Sequence, residues 1–367
     1  MSKKNLMKAA RKNLICNIMK RKQLKIIISM MLVMAVSCGE PETVVTDIVH
    51  TDGSVTRKIE MKTMDNNFRI SNVQVPYDST WIIRDSLEIN SNGDTTYVRR
   101  TEKLFASVDQ INKDYLADSS VNRDVKRKAE FKKRFKWFNT EYLYAEVIEK
   151  TMSYGYPITD FLNDEELAWF YSPENITNEK LNSSDSLKYK AFSDSVDQKI
   201  ENWTIKSLVS EWIGEFSNLT KGRAEGDMTP DVLKAREDEF IGVINQGGEK
   251  FDSLWSNGIL LKEFIGEANA LKYQTEADSA ENIVSEHLWV DFVRYTQRIV
   301  MPGEIIGTNG LIDSAKIMQW QIKSHYFMTE PFVMYAESKI PNKWAWIVSG
   351  FFLLFVLTGI IFRIIKR

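Results

Sequence analysis

Three histidines, two cysteines and several runs of carboxylates are the residues of this 367-residue chain that could do chemistry. The histidines, His50, His287 and His325, are scattered, and only Glu286-His287 sets two potential metal ligands side by side. Neither HExxH nor His-x-His spacing occurs, so no local pattern presents two imidazoles to one ion, and no metal is expected. The chain also lacks a GxSxG elbow, a Walker A loop and a GxGxxG fingerprint; Gly247-Gly248 resembles none of them. Carboxylates are abundant enough to supply an acid/base pair, yet Glu165-Glu166 and Glu237-Asp238-Glu239 read as solvated helix faces. No catalytic residue and no cofactor are assigned, and the chain is read as non-enzymatic.

The cysteines point to processing. The first 37 residues carry nine basic side chains and no acidic one, and end in a twelve-residue apolar run, Ile26 to Ser37. That is too short to span a bilayer and suits the h-region of a signal peptide, residues 1–37. Cys38 follows in Ala35-Val36-Ser37-Cys38-Gly39, which resembles a bacterial lipobox, with Ala35 where leucine is usual. Lipidation of Cys38 is expected, a plain cleaved signal or an uncleaved anchor being the alternatives. Met19-Lys20-Arg21-Lys22 would make an ordinary start, which would leave Cys16 outside the protein. Either way no disulfide pair remains, and the fold must hold by its core.

At the other end Trp344 to Phe362 holds nineteen uncharged residues, closed by Arg363, Lys366 and Arg367. At about 1.5 Å per residue this just crosses a hydrocarbon layer of about 30 Å. Trp344 and Trp346 fall where an interfacial aromatic belt sits, and residues 363–367 form a basic cytoplasmic tail. Basic residues before the first apolar run and after the last put both on the cytoplasmic side. The ectodomain then lies in the periplasm, on a bacterial inner membrane, since an outer membrane favours barrels. It carries 50 acidic and 36 basic residues, a net charge of −14, which disfavours nucleic acid and anionic headgroups. The bilayer, and an envelope protein or a lipid ligand, are the partners expected.

The ectodomain is expected to be α+β. Period-two runs at Thr43–Lys62 and Trp81–Arg100, turning at Asp52-Gly53 and Asn92-Gly93, make four strands over residues 38–106. A capping box at Ser107-Val108-Asp109-Gln110 opens a helical subdomain, 107–285. Within it Phe131, Phe135, Phe138 and Tyr142 recur at helical spacing through Val125–Lys150, behind a basic cluster, as a core stripe or a binding face. Further helices are expected over Leu187–Asn218, from Thr229-Pro230 to Gly247-Gly248, and over Phe251–Gly266. Strands return over 286–343, so that an antiparallel sheet is completed from both ends of the chain around a helical insertion.

This arrangement resembles the LppM-like lipoprotein domain, through Asp52-Gly53-Ser54, Met301-Pro302-Gly303, Asn309-Gly310 and Met318-Gln319-Trp320. The resemblance covers about 75 residues at the two ends and implies, loosely, a lipid-associated role; it carries over no catalytic residue. The layout is also similar to that of Gram-negative envelope lipoproteins. The leading expectation is a doubly anchored protein that binds a partner or lipid at the membrane surface. A hydrolase of cell-wall or lipid substrates is the alternative, and an accessory subunit pairing through its span is a third; Gly350 and Gly359, nine apart, give that last reading little support.

Overall fold

The computed structural model describes residues 42–89, 95–171, 183–247, 264–288 and 290–366. The expected signal region, Cys38, the expected turn at Asn92-Gly93, most of the expected Phe251–Gly266 helix and Arg367 lie outside them. In chain order the strands are β1 (Glu42–Val49), β2 (Val55–Thr63), β3 (Ile82–Ile89), β4 (Thr95–Phe105), β5 (Arg127–Phe135), β6 (Asn139–Ile148), β7 (Tyr295–Val300), β8 (Glu304–Thr308), β9 (Leu311–Ile312), β10 (Met318–Ile322) and β11 (Phe332–Pro341). The helices are α1 (Val108–Leu116), α2 (Asp164–Tyr171), α3 (Ser183–Leu219), α4 (Pro230–Ala235), α5 (Glu237–Gly247), α6 (Glu267–Lys272), α7 (Gln274–Leu288) and α8 (Lys343–Ile365).

Alternation builds two facing sheets. In β1 and β2 every second side chain is buried, and Gly53, at φ +93°, closes the turn between them by donating to the His50 carbonyl. These strands sit inside a seven-stranded sheet ordered β3-β4-β2-β1-β7-β10-β9. A second sheet is ordered β5-β6-β11-β8. The α+β class holds, and the sheet is completed from both ends, but through a parallel pairing of β1 with β7.

The helix expected over Val125–Lys150 is instead the β5–β6 hairpin. Phe131 and Phe135 are four apart, and four is a multiple of the strand period as well as about one helical turn, so their spacing fits both. Tyr142, Tyr144, Glu146 and Ile148 settle it by alternating inward along β6. The helical subdomain therefore begins after this hairpin, at α2.

Asn309-Gly310 is likewise not a hairpin turn. β8 belongs to the four-stranded sheet and β9 to the seven-stranded one, so these two residues form a seam between sheets. Asn309 donates to the Val333 carbonyl at 2.6 Å and accepts from Tyr335 N at 3.0 Å and Trp320 Nε1 at 3.2 Å. Gly310 lies under the Trp320 ring, where a Cβ would come within 2.4 Å.

Helices α4, α5 and α7 pack on α3, whose stripe Val196, Trp203, Leu208, Trp212 and Phe216 is buried, Trp203 meeting Phe170 of α2 edge-on at 5.9 Å. Asn163 and Glu166 cap α2 reciprocally: the Asn163 side chain accepts from Glu166 N, and Glu166 accepts from Asn163 N, both at 3.0 Å. The expected capping box of α1 is not made: Ser107 makes no side-chain cap, and Gln110 Oε1 accepts from Ala106 N, one residue before the cap, at 2.9 Å.

Candidate functional site

β11 runs into α8 through one residue, Asn342. Its backbone N–H donates to the Phe138 carbonyl at 2.9 Å, and its side chain donates to the carbonyl of Lys136 at 2.7 Å. Its Oδ1 accepts from Thr140 Oγ1 at 2.9 Å. The tip of the β5–β6 hairpin is thereby fastened to the first turn of the apolar helix. Aromatic contacts extend the joint: Phe135 stacks on Trp344 at 6.3 Å, Trp137 meets Trp344 edge-on at 5.3 Å, and Phe138 lies 4.4 Å from Trp346. Trp137 Nε1 also donates to Ser349 Oγ at 2.9 Å.

The expected aromatic face is thus divided. Phe135 and Phe138 come together with Trp344 and Trp346 at the tip, all four still exposed. Phe131 and Tyr142 turn inward, their rings 6.3 Å apart, with Phe131 covering Gly53. Of the residues assigned to the anchor, Arg363 and Lys366 end α8, and Cys38 and Arg367 are outside the described residues. Helix α8 is long and apolar enough to cross a membrane, and its apolar window is almost wholly exposed. Sequence reasoning missed Trp137, Asn342 and Ser349; the aromatic pair Trp137-Phe138 between two alternating runs was the available signal.

A second constellation lies between the sheets. Arg57 on β2 donates from Nε and Nη2 to the two Asp47 oxygens on β1, at 2.7 and 2.8 Å, and from Nη1 to Tyr115 on α1 at 2.5 Å. Nη2 also meets Glu146 on β6. Tyr144 Oη lies 2.9 Å from Glu146 and 3.1 Å from Asp47, and Gln297 on β7 donates to Asp47 at 2.8 Å. Asp47, Arg57, Tyr144, Glu146 and Gln297 are all buried. One cation faces two carboxylates, so burial pushes the Glu146 carboxyl up from its ordinary value, with Arg57 opposing and Asp47 adding to the rise. Burial also raises the Tyr144 and Tyr115 phenols, and Tyr295 beside them to about 12. Two carboxylates joined through one hydroxyl have the spacing of an acid/base pair, and both are buried between the two sheets.

Several other carboxylates and the three histidines have structural partners. Glu166 and Glu237, read from sequence as solvated, are buried: Glu166 binds Lys199 at 2.6 Å, and Glu237 binds Lys234 at 2.6 Å and Tyr156 at 2.9 Å. Glu211, fully buried on α3, accepts from Ser153 N at 2.9 Å and Tyr154 N at 2.6 Å, with His287 Nδ1 3.1 Å away. His50 is hydrogen-bonded to Thr56 at 2.9 Å. His325 packs against Phe170 and Tyr326, and burial, helped by Lys323, brings its pKa down to about 4. Among the described residues no three metal-ligating side chains converge.

A cleft of about 330 Å³ opens at the far end of β11, lined by Tyr171, Leu311, Gln319, Trp320, Phe332 and Val333 among others. From Phe332 to Asn342 is ten strand residues, roughly 33 Å of chain. The cleft is therefore remote from the start of α8.

No protein-family model matches this chain, and no curated protein is similar to it. Among solved structures it is similar to the NMR structure of the Mycobacterium tuberculosis LppM protein folded domain. The identity is 9% and the TM-score 0.27, over 83% of this chain and 92% of that one. That likeness is weak, and no residue role is taken from it.

Proposed function

We propose that this is a non-enzymatic, membrane-anchored envelope protein that binds a partner protein at the membrane surface. Its ectodomain lies in the periplasm over a bacterial inner membrane, with α8 as one anchor and acylated Cys38 as the other. The observation that carries the reading is the joint at Asn342. A domain that worked away from its membrane would leave through a linker, whereas this one is hydrogen-bonded onto the first turn of its apolar helix. The ectodomain is held at a fixed height and angle, as suits presentation to a neighbour in the same envelope.

The distal cleft favours a protein over a lipid as the occupant. Its aromatic and amide lining suits either, but roughly 33 Å of strand separates it from the anchor, so a lipid there would have left the bilayer entirely. The sealing of Asp47 and Glu146 between the sheets supports the non-enzymatic reading.

A photo-crosslinking phenylalanine analogue at exposed Val333, on the cleft rim, tests this in intact cells. One discrete protein adduct, lost when Trp320→Ala opens the cleft floor, is the expected result. A lipid adduct would move the cleft to lipid binding. Release of soluble products from cell wall or phospholipid by the purified full-length protein would overturn the non-enzymatic reading.

A further inference from the structure

We infer that the tip of the β5–β6 hairpin is inserted into the outer leaflet of the same bilayer that α8 crosses, and that the cations beside it hold anionic phospholipid headgroups. The proposal rests on α8 being the membrane span, and its geometry then leaves little freedom. Ser349 is five residues beyond Trp344, about 7.5 Å further along the helix axis. Because Trp137 donates to Ser349, the hairpin tip reaches the depth of the second helical turn. If Trp344 stands at the interface, the Trp137 indole lies within the acyl boundary. The exposed residues at that depth are the kind such a layer accepts: Phe135, Trp137 and Phe138 remain 58%, 48% and 41% exposed even after packing on the helix.

Charge gives the second, independent observation. The ectodomain is strongly acidic, yet residues 126–136 carry seven basic side chains and one acidic, Glu130. Lys132, Lys133, Arg134 and Lys136 are all exposed. Lys132 is tied to Glu130 at 3.4 Å and Lys136 pairs with Glu141, while Arg134 makes no ion pair among the described residues. Strand rise places Arg134 about 7 Å above Lys136, and Lys132 a further 7 Å up. The step from Lys136 to Arg134 matches a headgroup layer some 5–8 Å thick on each side of the hydrocarbon, with Lys132 just outside it. The apolar tip below and the cations above therefore coincide with the two layers of a leaflet, phosphate outermost. The acidic remainder of the domain is repelled by the same headgroups, so the hairpin fixes which face of the ectodomain meets the membrane.

The test uses the full-length protein. A photo-crosslinking phenylalanine analogue is placed at Phe138, at Leu354 within α8, and at exposed Leu104 on the seven-stranded sheet. In vesicles of three parts phosphatidylcholine to one part phosphatidylglycerol, phospholipid adducts are expected at Leu354 and Phe138 and none at Leu104. Adducts at Leu354 without Phe138 overturn the proposal and leave the span intact; none at either position overturns the span itself. Headgroup selectivity is read by native mass spectrometry of phosphatidylglycerol against phosphatidylcholine. Each cation near an anionic surface is worth about fivefold. Lys132→Ser, Arg134→Ser and Lys136→Ser together are expected to lower the phosphatidylglycerol preference about a hundredfold. A charge-matched control, Lys58→Ser, Lys62→Ser and Arg84→Ser, should leave it within twofold. Equal losses in both variants, or in neither, overturn headgroup binding by the hairpin.

Discussion

Arg57→Met is the sharpest perturbation of the cluster between the sheets. The guanidinium holds both Asp47 oxygens, Tyr115 and Glu146, and methionine keeps its length while removing all of these bonds. Two buried carboxylates are then left without a cation, an arrangement that costs about 3–5 kcal/mol. A domain of this kind has a total stability of about 5–15 kcal/mol, so the loss is a large share of it. The pH dependence has a defined sign. Without Arg57, which opposes the rise, the folded state keeps Glu146 buried by protonating it, and its pKa goes further above the unfolded value. A raised carboxyl pKa stabilises the fold fully below the unfolded value, 4.5 for Glu146, and that stabilisation is lost as pH rises through the folded value. The penalty is therefore small near pH 4 and complete at pH 8, rising by at most about 1.4 kcal/mol per pH unit for each proton. Urea unfolding of the detergent-solubilised full chain, followed by tryptophan fluorescence at several pH values, measures it. Adding Asp47→Asn and Glu146→Gln should restore most of the loss at pH 8 by removing the charges left behind. A penalty under about 1 kcal/mol at pH 8, or one that does not change with pH, refutes the reasoning.

Glu146→Gln alone should flatten the decline in wild-type stability above pH 4.5, because burial raises this carboxyl in the native protein; an unchanged profile in the same urea series would place the titration elsewhere. Glu211→Ala takes the acceptor from Ser153 N and Tyr154 N, and a loss of about 1–3 kcal/mol is expected in chemical denaturation, with faster amide exchange confined to residues near 153. Gly303→Ala should cost about 2–3 kcal/mol, since Gly303 sits at φ +87° and its Cβ would lie 2.4 Å from the Lys339 carbonyl; a thermal shift of under a degree would contradict this. Cys38→Ser should abolish the acyl mass in intact mass spectrometry while the protein stays in the membrane fraction through α8.

What was legible in the sequence was local. Asp52-Gly53 announces its hairpin because a positive φ is a property of one residue. The stripe from Val196 to Phe216 announces α3 because it persists over several turns, where a strand pattern would have broken. Asn309-Gly310 carries the same turn chemistry as a hairpin, but where its flanking strands pair is decided by Trp320 and Tyr335, 11 and 26 residues beyond Asn309. The β5–β6 hairpin was hidden by two phenylalanines whose spacing fits either period. It was hidden further by Glu146, a carboxylate on an inward position that makes sense only once Arg57 of β2 lies opposite. The joint at Asn342 could not be read either, because asparagine before a helix is an ordinary cap, and its bonds go to residues some two hundred positions earlier.

The parallel pairing of β1 with β7 also sets a timetable. Thr43–Ile48 lies beside Tyr295–Val300, some 250 residues later, so the centre of the larger sheet cannot close until most of the chain has been made. At about 5–20 residues per second, β1 waits roughly 12–50 s with one edge open and Asp47 without its Gln297 donor. Such non-local closure is intrinsically slow, and an uncovered apolar edge is a template for pairing with the wrong strand. The order of synthesis therefore makes β1 the segment of this chain with most need of a holding chaperone.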